Sequence, residues 1–127
     1  MRLKQIVTAW AALAVLGPLP AIAGEADVVA ATAQRTGATW RFDVTVAHAD
    51  SGWDHYADRW DVLAPDGTLL GSRTLLHPHE TEQPFTRSLD GVTVLSGVTA
   101  VVIRAHDKVH GLGGREFTLV LPADNGR

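Results

Sequence analysis

The chain has 127 residues, a formal net charge of −3 and no cysteine. That length suits one domain with one hydrophobic core. The acidic balance leaves no basic face for nucleic acid, the absence of cysteine excludes disulfides and thiolate metal sites, and a lone methionine at position 1 excludes a thioether copper site.

Met1-Arg2-Leu3-Lys4 is a short basic start, followed by a mostly apolar run from Ile6 to Leu19 that is too short to cross a bilayer comfortably. Gly17, Pro18 and Pro20 break any helix, and Ala21-Ile22-Ala23 is a small-x-small cleavage pattern. These features predict a secretory signal peptide over 1–23 and a periplasmic or secreted domain over 24–127, with a loose tail from about 123. Loss of Arg2 and Lys4 with the leader takes the net charge from −3 to −5. No basic stop-transfer segment follows, so no membrane span is expected after signal removal. No cysteine follows either, so no lipid attachment is expected there.

Alternation of apolar and polar residues dominates the rest. Asp27 to Gln34 is small and β-tolerant, suited to an edge strand, and Arg35-Thr36-Gly37-Ala38 is turn-like. Trp40, Phe42, Val44 and Val46 then alternate with Arg41, Asp43 and Thr45, which predicts a strand with one core face and one wet face. Ala49-Asp50-Ser51-Gly52 reads as a loop. A third strand is expected over Tyr56 to Ala64, with Trp60 and Val62 inward. The Ala64-Pro65-Asp66-Gly67 turn leads to a fourth over Thr68 to Leu76, which Pro78 ends. Phe85 to Leu89 is a short fifth strand, closed by a longer turn between Asp90-Gly91 and Ser96-Gly97. Thr99 to Ala105 is a β-branched sixth, with Val101, Ile103 and Ala105 on one face. A glycine-rich loop over Val109 to Gly114 follows. Phe117, Leu119 and Leu121 form the inward face of the last strand, which Pro122 closes.

Seven short strands with regularly spaced turns predict an all-β, two-sheet sandwich. Their order and lengths resemble the fibronectin type III and immunoglobulin-like families, and Trp60 on the third strand resembles the core tryptophan of such domains. The paired cysteines of antibody domains are missing, so fibronectin type III is the better comparison. That architecture hosts many functions and implies no site residues. The strings HADSGWDHYADRW, HPHETEQPFTR and RAHDKVHGLGG are also similar to those of small uncharacterised secreted bacterial proteins, a resemblance that implies no activity.

All six histidines fall in three short stretches: His48 and His55, His77 and His79, His106 and His110. If successive loops alternate between the two ends of a sandwich, the loops Ala49–His55, His77–Glu82 and His106–Gly114 share one end, with His48 entering the first of them. Asp50, Asp54, Asp58, Glu80, Glu82 and Asp107 accompany them. Neutral imidazoles bind Zn²⁺ and Cu²⁺, and carboxylates complete the shell or orient the second ring nitrogen. In His77-Pro78-His79 the i and i+2 side chains of an extended chain point to one side. The expected site therefore draws three or four ligands from the six histidines, with Asp50, Asp54, Asp107 and Glu80 orienting the imidazoles or serving as additional ligands. No organic cofactor is indicated.

Each pair also has a plain structural explanation. His48 continues the inward face of its strand and serves as a hydrogen-bonded rim residue. His55 lies exposed beside Tyr56, Pro78 stiffens a surface loop, and His106 shares a wet strand face with Arg104. Trp53, in a loop between Gly52 and Asp54, caps the sandwich end or forms a partner platform with Tyr56. Arg59, Arg73, Arg87 and Arg104 suit solvated faces or cross-strand ion pairs.

Three functions fit. The first is a metal-binding protein, the second a metal-free module presenting Trp53 and Tyr56 to a protein or glycan. The third is a metal-assisted hydrolase with Glu80 or Asp107 as base. No G-x-S-x-G pattern or cysteine nucleophile is present, and no catalytic residue is assigned.

Overall fold

The computed structural model describes residues 24–123. The leader expected over 1–23, and all but the first residue of the expected tail, lie outside the described residues. Seven strands follow in chain order: β1 (Asp27–Thr36), β2 (Thr39–Ala47), β3 (Ala57–Leu63), β4 (Leu69–Thr74), β5 (Phe85–Val92), β6 (Ala100–Asp107) and β7 (Phe117–Val120). They form a three-stranded sheet, β1-β2-β5, and a four-stranded sheet, β4-β3-β6-β7. Every pairing is antiparallel. The expectation of an all-β two-sheet sandwich is borne out.

The core follows from the alternation. Trp40, Phe42, Val44 and Val46 of β2 are buried while Arg41, Asp43 and Thr45 are half-buried. They face Trp60 and Val62 of β3 and Val101, Ile103 and Ala105 of β6, which join them in one core cluster. Removing such apolar surface from water contributes about 25 cal/mol per Å², and with no disulfide this is the main force holding the sheets together.

Several strand ends differ from the expected ones: β1 runs through Arg35 and Thr36, which pair with Trp40 and Thr39 instead of turning, and β3 and β4 are shorter than expected, but the ends of β5 and β6 matter most. β5 runs past Asp90-Gly91 to Val92, because Gly91 takes a left-handed conformation (φ 71°) and the chain bulges rather than turns away. β6 runs two residues further than expected, through His106 and Asp107, because Arg59 and Ala57 of β3 continue to pair with them. Those two residues are therefore governed by strand alternation: His106 faces outward and Asp107 is fully buried on the inner face.

β3 departs from simple alternation too. Asp61 is 2% exposed although it sits on the outer face. Its carboxylate accepts hydrogen bonds from Ser72 Oγ at 2.7 Å, Arg104 Nε at 2.9 Å and Arg59 Nε at 3.1 Å. Burial works to raise its pKa, but the hydroxyl and the two guanidinium groups outweigh that and lower it. Arg104 is thus a cross-strand ion-pair partner of Asp61, Arg59 pairs with Asp61 along β3 itself, and Arg87 pairs with Glu82 at 3.1 Å.

Candidate metal centre

The inward face of β2 continues one residue past Ala47, so the next inward side chain is His48. The inward face of β6 ends at Asp107. The two side chains meet where the sandwich closes, with His48 Nε2 2.8 Å from Asp107 Oδ2. The β2–β3 loop adds His55, whose Nε2 lies 3.1 Å from the same oxygen. The β6–β7 loop adds His110, whose Nδ1 also lies 3.1 Å from it. Asp107 is fixed in turn. Its Oδ1 accepts the backbone N–H groups of Val109 (2.9 Å) and His110, and its own backbone pairs with Gly111. Gly111 makes that tight return in a left-handed conformation (φ 73°).

Three imidazoles thus converge on one carboxylate oxygen. The ring centroids of His48 and His55 are 4.9 Å apart, and those of His55 and His110 are 5.0 Å apart. Two imidazoles bound side by side to one ion at metal–nitrogen distances of about 2.0–2.1 Å place their centroids about 4.5–5.2 Å apart. Ligand atoms of His48, His55 and Asp107 all lie within 4.8 Å of one another.

The charges around His48 point the same way. Its Nδ1 lies 2.5 Å from Asp50 Oδ1, and its Nε2 faces both Asp107 and the Gly24 carbonyl oxygen, at 3.1 Å. A neutral imidazole carries one N–H and one lone pair. With acceptors at both nitrogens, the lone pair of a neutral ring would point at a carboxylate. Either a proton or a metal ion at Nε2 relieves that repulsion. Burial works to lower the His48 pKa, but the hydrogen bonds to Asp50 and Asp107 prevail and raise it. Burial likewise works to raise Asp107, and its hydrogen bonds from His110, His55 and His48 drive it far below the usual carboxylate range. Asp50 is also lowered, burial being outweighed by His48 and by the N–H groups of His79 and Ala57.

The centre is closed on one side and open on the other. The side chains of His48 and Asp107 are 1% and 0% exposed, whereas those of His55 and His110 are 24% and 37% exposed. An ion held here would be walled by the sandwich and reachable from the loops. Beside it a 500 Å³ cavity is lined by Glu25, His48, Asp50, Glu80 and Gln83 among others.

The other histidines are placed elsewhere. His106 faces outward with Arg104, and its Nδ1 lies 2.6 Å from Asp58 Oδ1, next to a β-bulge between Ala57 and Arg59. His77 and His79 sit together in the β4–β5 loop. Asp54 and Glu80 are exposed, while Asp50 is buried behind His48. Trp53 is 64% exposed and meets the buried Tyr56 edge-on at 5.7 Å. One residue escaped the reading of the sequence. Gln83 accepts the His48 backbone N–H at 2.9 Å and donates to the His79 carbonyl at 2.9 Å, clamping two loops. A lone glutamine in a polar loop carries no signal of that.

No protein-family model matches the chain. It is similar to a protein of Halomicrobium mukohataei named "Putative lipoprotein", with 47% identity over 96 residues, 75% of this chain and 47% of that protein. The chain thus spans about half the length of that relative. Among solved structures it resembles a hypothetical protein from Pyrococcus horikoshii, with a TM-score of 0.52 and 14% identity over 80% of this chain and 95% of that one. At that identity the likeness concerns the fold alone.

Proposed function

We propose that the protein is an extracytoplasmic metal-binding protein that holds one Zn²⁺ or Cu²⁺ between His48, His55, His110 and Asp107. One observation carries this reading: three imidazoles from separate parts of the chain point ring nitrogens at a single buried carboxylate oxygen. Asp50 behind His48 supplies the outer carboxylate that commonly orients a metal-bound imidazole. Nitrogen and oxygen donors without sulfur suit Zn²⁺ and Cu²⁺. The location rests on the secretory leader read in the sequence and on the lipoprotein name of the relative. Among the described residues no helix is long and apolar enough to cross a membrane.

The ion ties loop to loop and sheet to sheet, so it adds its binding free energy to the stability of a domain without disulfides. Both oxygens of Asp107 are engaged, Oδ2 by imidazoles and Oδ1 by backbone N–H groups, and Glu80 is exposed, which favours binding or carriage over hydrolysis. Calorimetric titration of stripped protein with Zn²⁺ and Cu²⁺ tests the reading. A Kd tighter than about 10 μM, weakened at least tenfold by His110→Ala, is expected; weaker binding, or no response to that substitution, overturns it.

Trp53 supports a second reading, a partner platform for a protein or glycan, because an indole 64% exposed has no core duty. Loss of partner capture in Trp53→Ala, with metal affinity unchanged, is the result that would favour it.

A further inference from the structure

His79 is 6% exposed, yet neither of its ring nitrogens has a hydrogen-bond partner. Leaving one buried polar atom unsatisfied costs about 1–3 kcal/mol, so such a pair of atoms calls for a function. The ring is held firmly. It stacks on Phe85 at 4.0 Å with the planes 12° apart. Its backbone N–H donates to Asp50 Oδ2 at 2.7 Å, and its carbonyl accepts from Gln83. On the solvent side lies His77, whose ring centroid is 4.6 Å away and tilted by 39°.

That separation falls in the range of about 4.5–5.2 Å for two imidazoles sharing one ion. His77 Nδ1 lies 3.1 Å from the Pro78 carbonyl, which can only accept, so Nδ1 carries the proton and Nε2 presents a lone pair. His79 offers an unengaged lone pair whichever tautomer it adopts. Asp50 Oδ2, 3.9 Å from His79 Nδ1, places a negative charge beside the pair. His77 is exposed, so the pair borders solvent on that side. Phe85, at the start of β5, backs the ring with an aromatic wall that no backbone motion is needed to form.

We infer that His77 and His79 form a second ion-binding site, distinct from the centre on Asp107, for a divalent cation that favours imidazole. With two nitrogen donors and no sulfur, Cu²⁺ is the first-row divalent ion held most tightly, ahead of Zn²⁺. Two donors rather than four make it the weaker of the two sites, as suits an exchangeable ion near a tighter one. Its existence does not depend on the Asp107 centre, although Asp50 touches both.

The test is copper titration of the stripped full chain by calorimetry and electron paramagnetic resonance, with Cu²⁺ itself as probe. His55→Ala with His110→Ala removes two donors of the Asp107 centre at partly exposed positions. That variant is expected to keep one Cu²⁺ with a two-nitrogen hyperfine pattern. Adding His77→Ala, an exposed change, then weakens that Cu²⁺ at least tenfold and removes one nitrogen from the pattern. His79→Phe, which keeps the stack on Phe85, does the same and guards against a folding artefact. If the double variant binds no Cu²⁺ tighter than about 100 μM, or if His77→Ala and His79→Phe leave its copper spectrum unchanged, the second site does not exist. Failure of the Asp107 centre reads differently: the double variant would then bind as many ions as the wild type.

Discussion

His48 Nε2 lies 2.8 Å from Asp107 Oδ2, and that contact crosses the sandwich. His48 follows β2 in one sheet and Asp107 ends β6 in the other. Both side chains are all but fully buried, so the open end of the core is sealed by a charged pair rather than by apolar packing. A buried pair of this kind stabilises only when its partners are complete.

Replacing Asp107 by Asn tests that dependence. The change keeps shape but removes the charge that three imidazoles face. Loss of roughly 3–5 kcal/mol is the scale for breaking a buried pair, read as a lower midpoint in urea. Zn²⁺ affinity should fall at least a hundredfold by calorimetry.

Asp50→Asn should separate orientation from ligation. Asp50 contacts His48 Nδ1 but no other ring of the Asp107 centre. Loss of such an outer carboxylate typically weakens metal binding about 10–100-fold. Metal stoichiometry at the Asp107 centre should stay unchanged while its Kd rises.

Metal removal should lower the melting temperature. Free ion at about 100 times its Kd stabilises the fold by about 2.7 kcal/mol. For a domain of roughly 100 residues, each kcal/mol is worth about 4–8 °C. Calorimetric melts with Zn²⁺ and with chelator should therefore differ by about 10–20 °C.

Metal should alter the pH dependence of stability. The His48 pKa is raised on folding, so its contribution in stripped protein is full below about pH 6.5. It is lost as pH rises through the folded value. The Asp50, Asp61 and Asp107 values are lowered. Their contributions are present above about pH 4 and lost as pH falls through the folded values. Burial lowers the His79 pKa, which opposes His48 in the same range, so stripped protein carrying His79→Phe should be more stable at pH 6 than at pH 8. Protons compete with the ion for imidazole, so the extra stability given by Zn²⁺ should shrink from pH 8 to pH 6. Melts at both values, with and without metal, check both trends.

Gly114→Ala should destabilise the protein without touching a ligand. A Cβ there would sit 1.9 Å from the Ala26 carbonyl oxygen, so backbone must move. The same junction is pinned by Val28 N–H to Arg115 O at 2.9 Å and Arg115 N–H to Asp27 at 2.7 Å. A cost of about 1–3 kcal/mol is the scale for overpacking, and denaturant midpoints measure it.

The sequence by itself determined the strands, the inward faces and the sharing of one end by three histidine-bearing loops. Period-two alternation is local, so Trp40 to Val46 and Val101 to Ala105 declare their buried sides without a partner in view. The same rule, carried on, reaches His48 and Asp107. Which residues gather around which was settled only by the tertiary structure. The end of β6 depended on pairing with β3, and one residue of strand decides that Asp107 faces the core while His106 turns away to Asp58. The burial of Asp50, the Gln83 clamp and the stack of His79 on Phe85 arise from contacts between separate parts of the chain. Such contacts depend on distances that only the packed sheets create, and no local pattern encodes them.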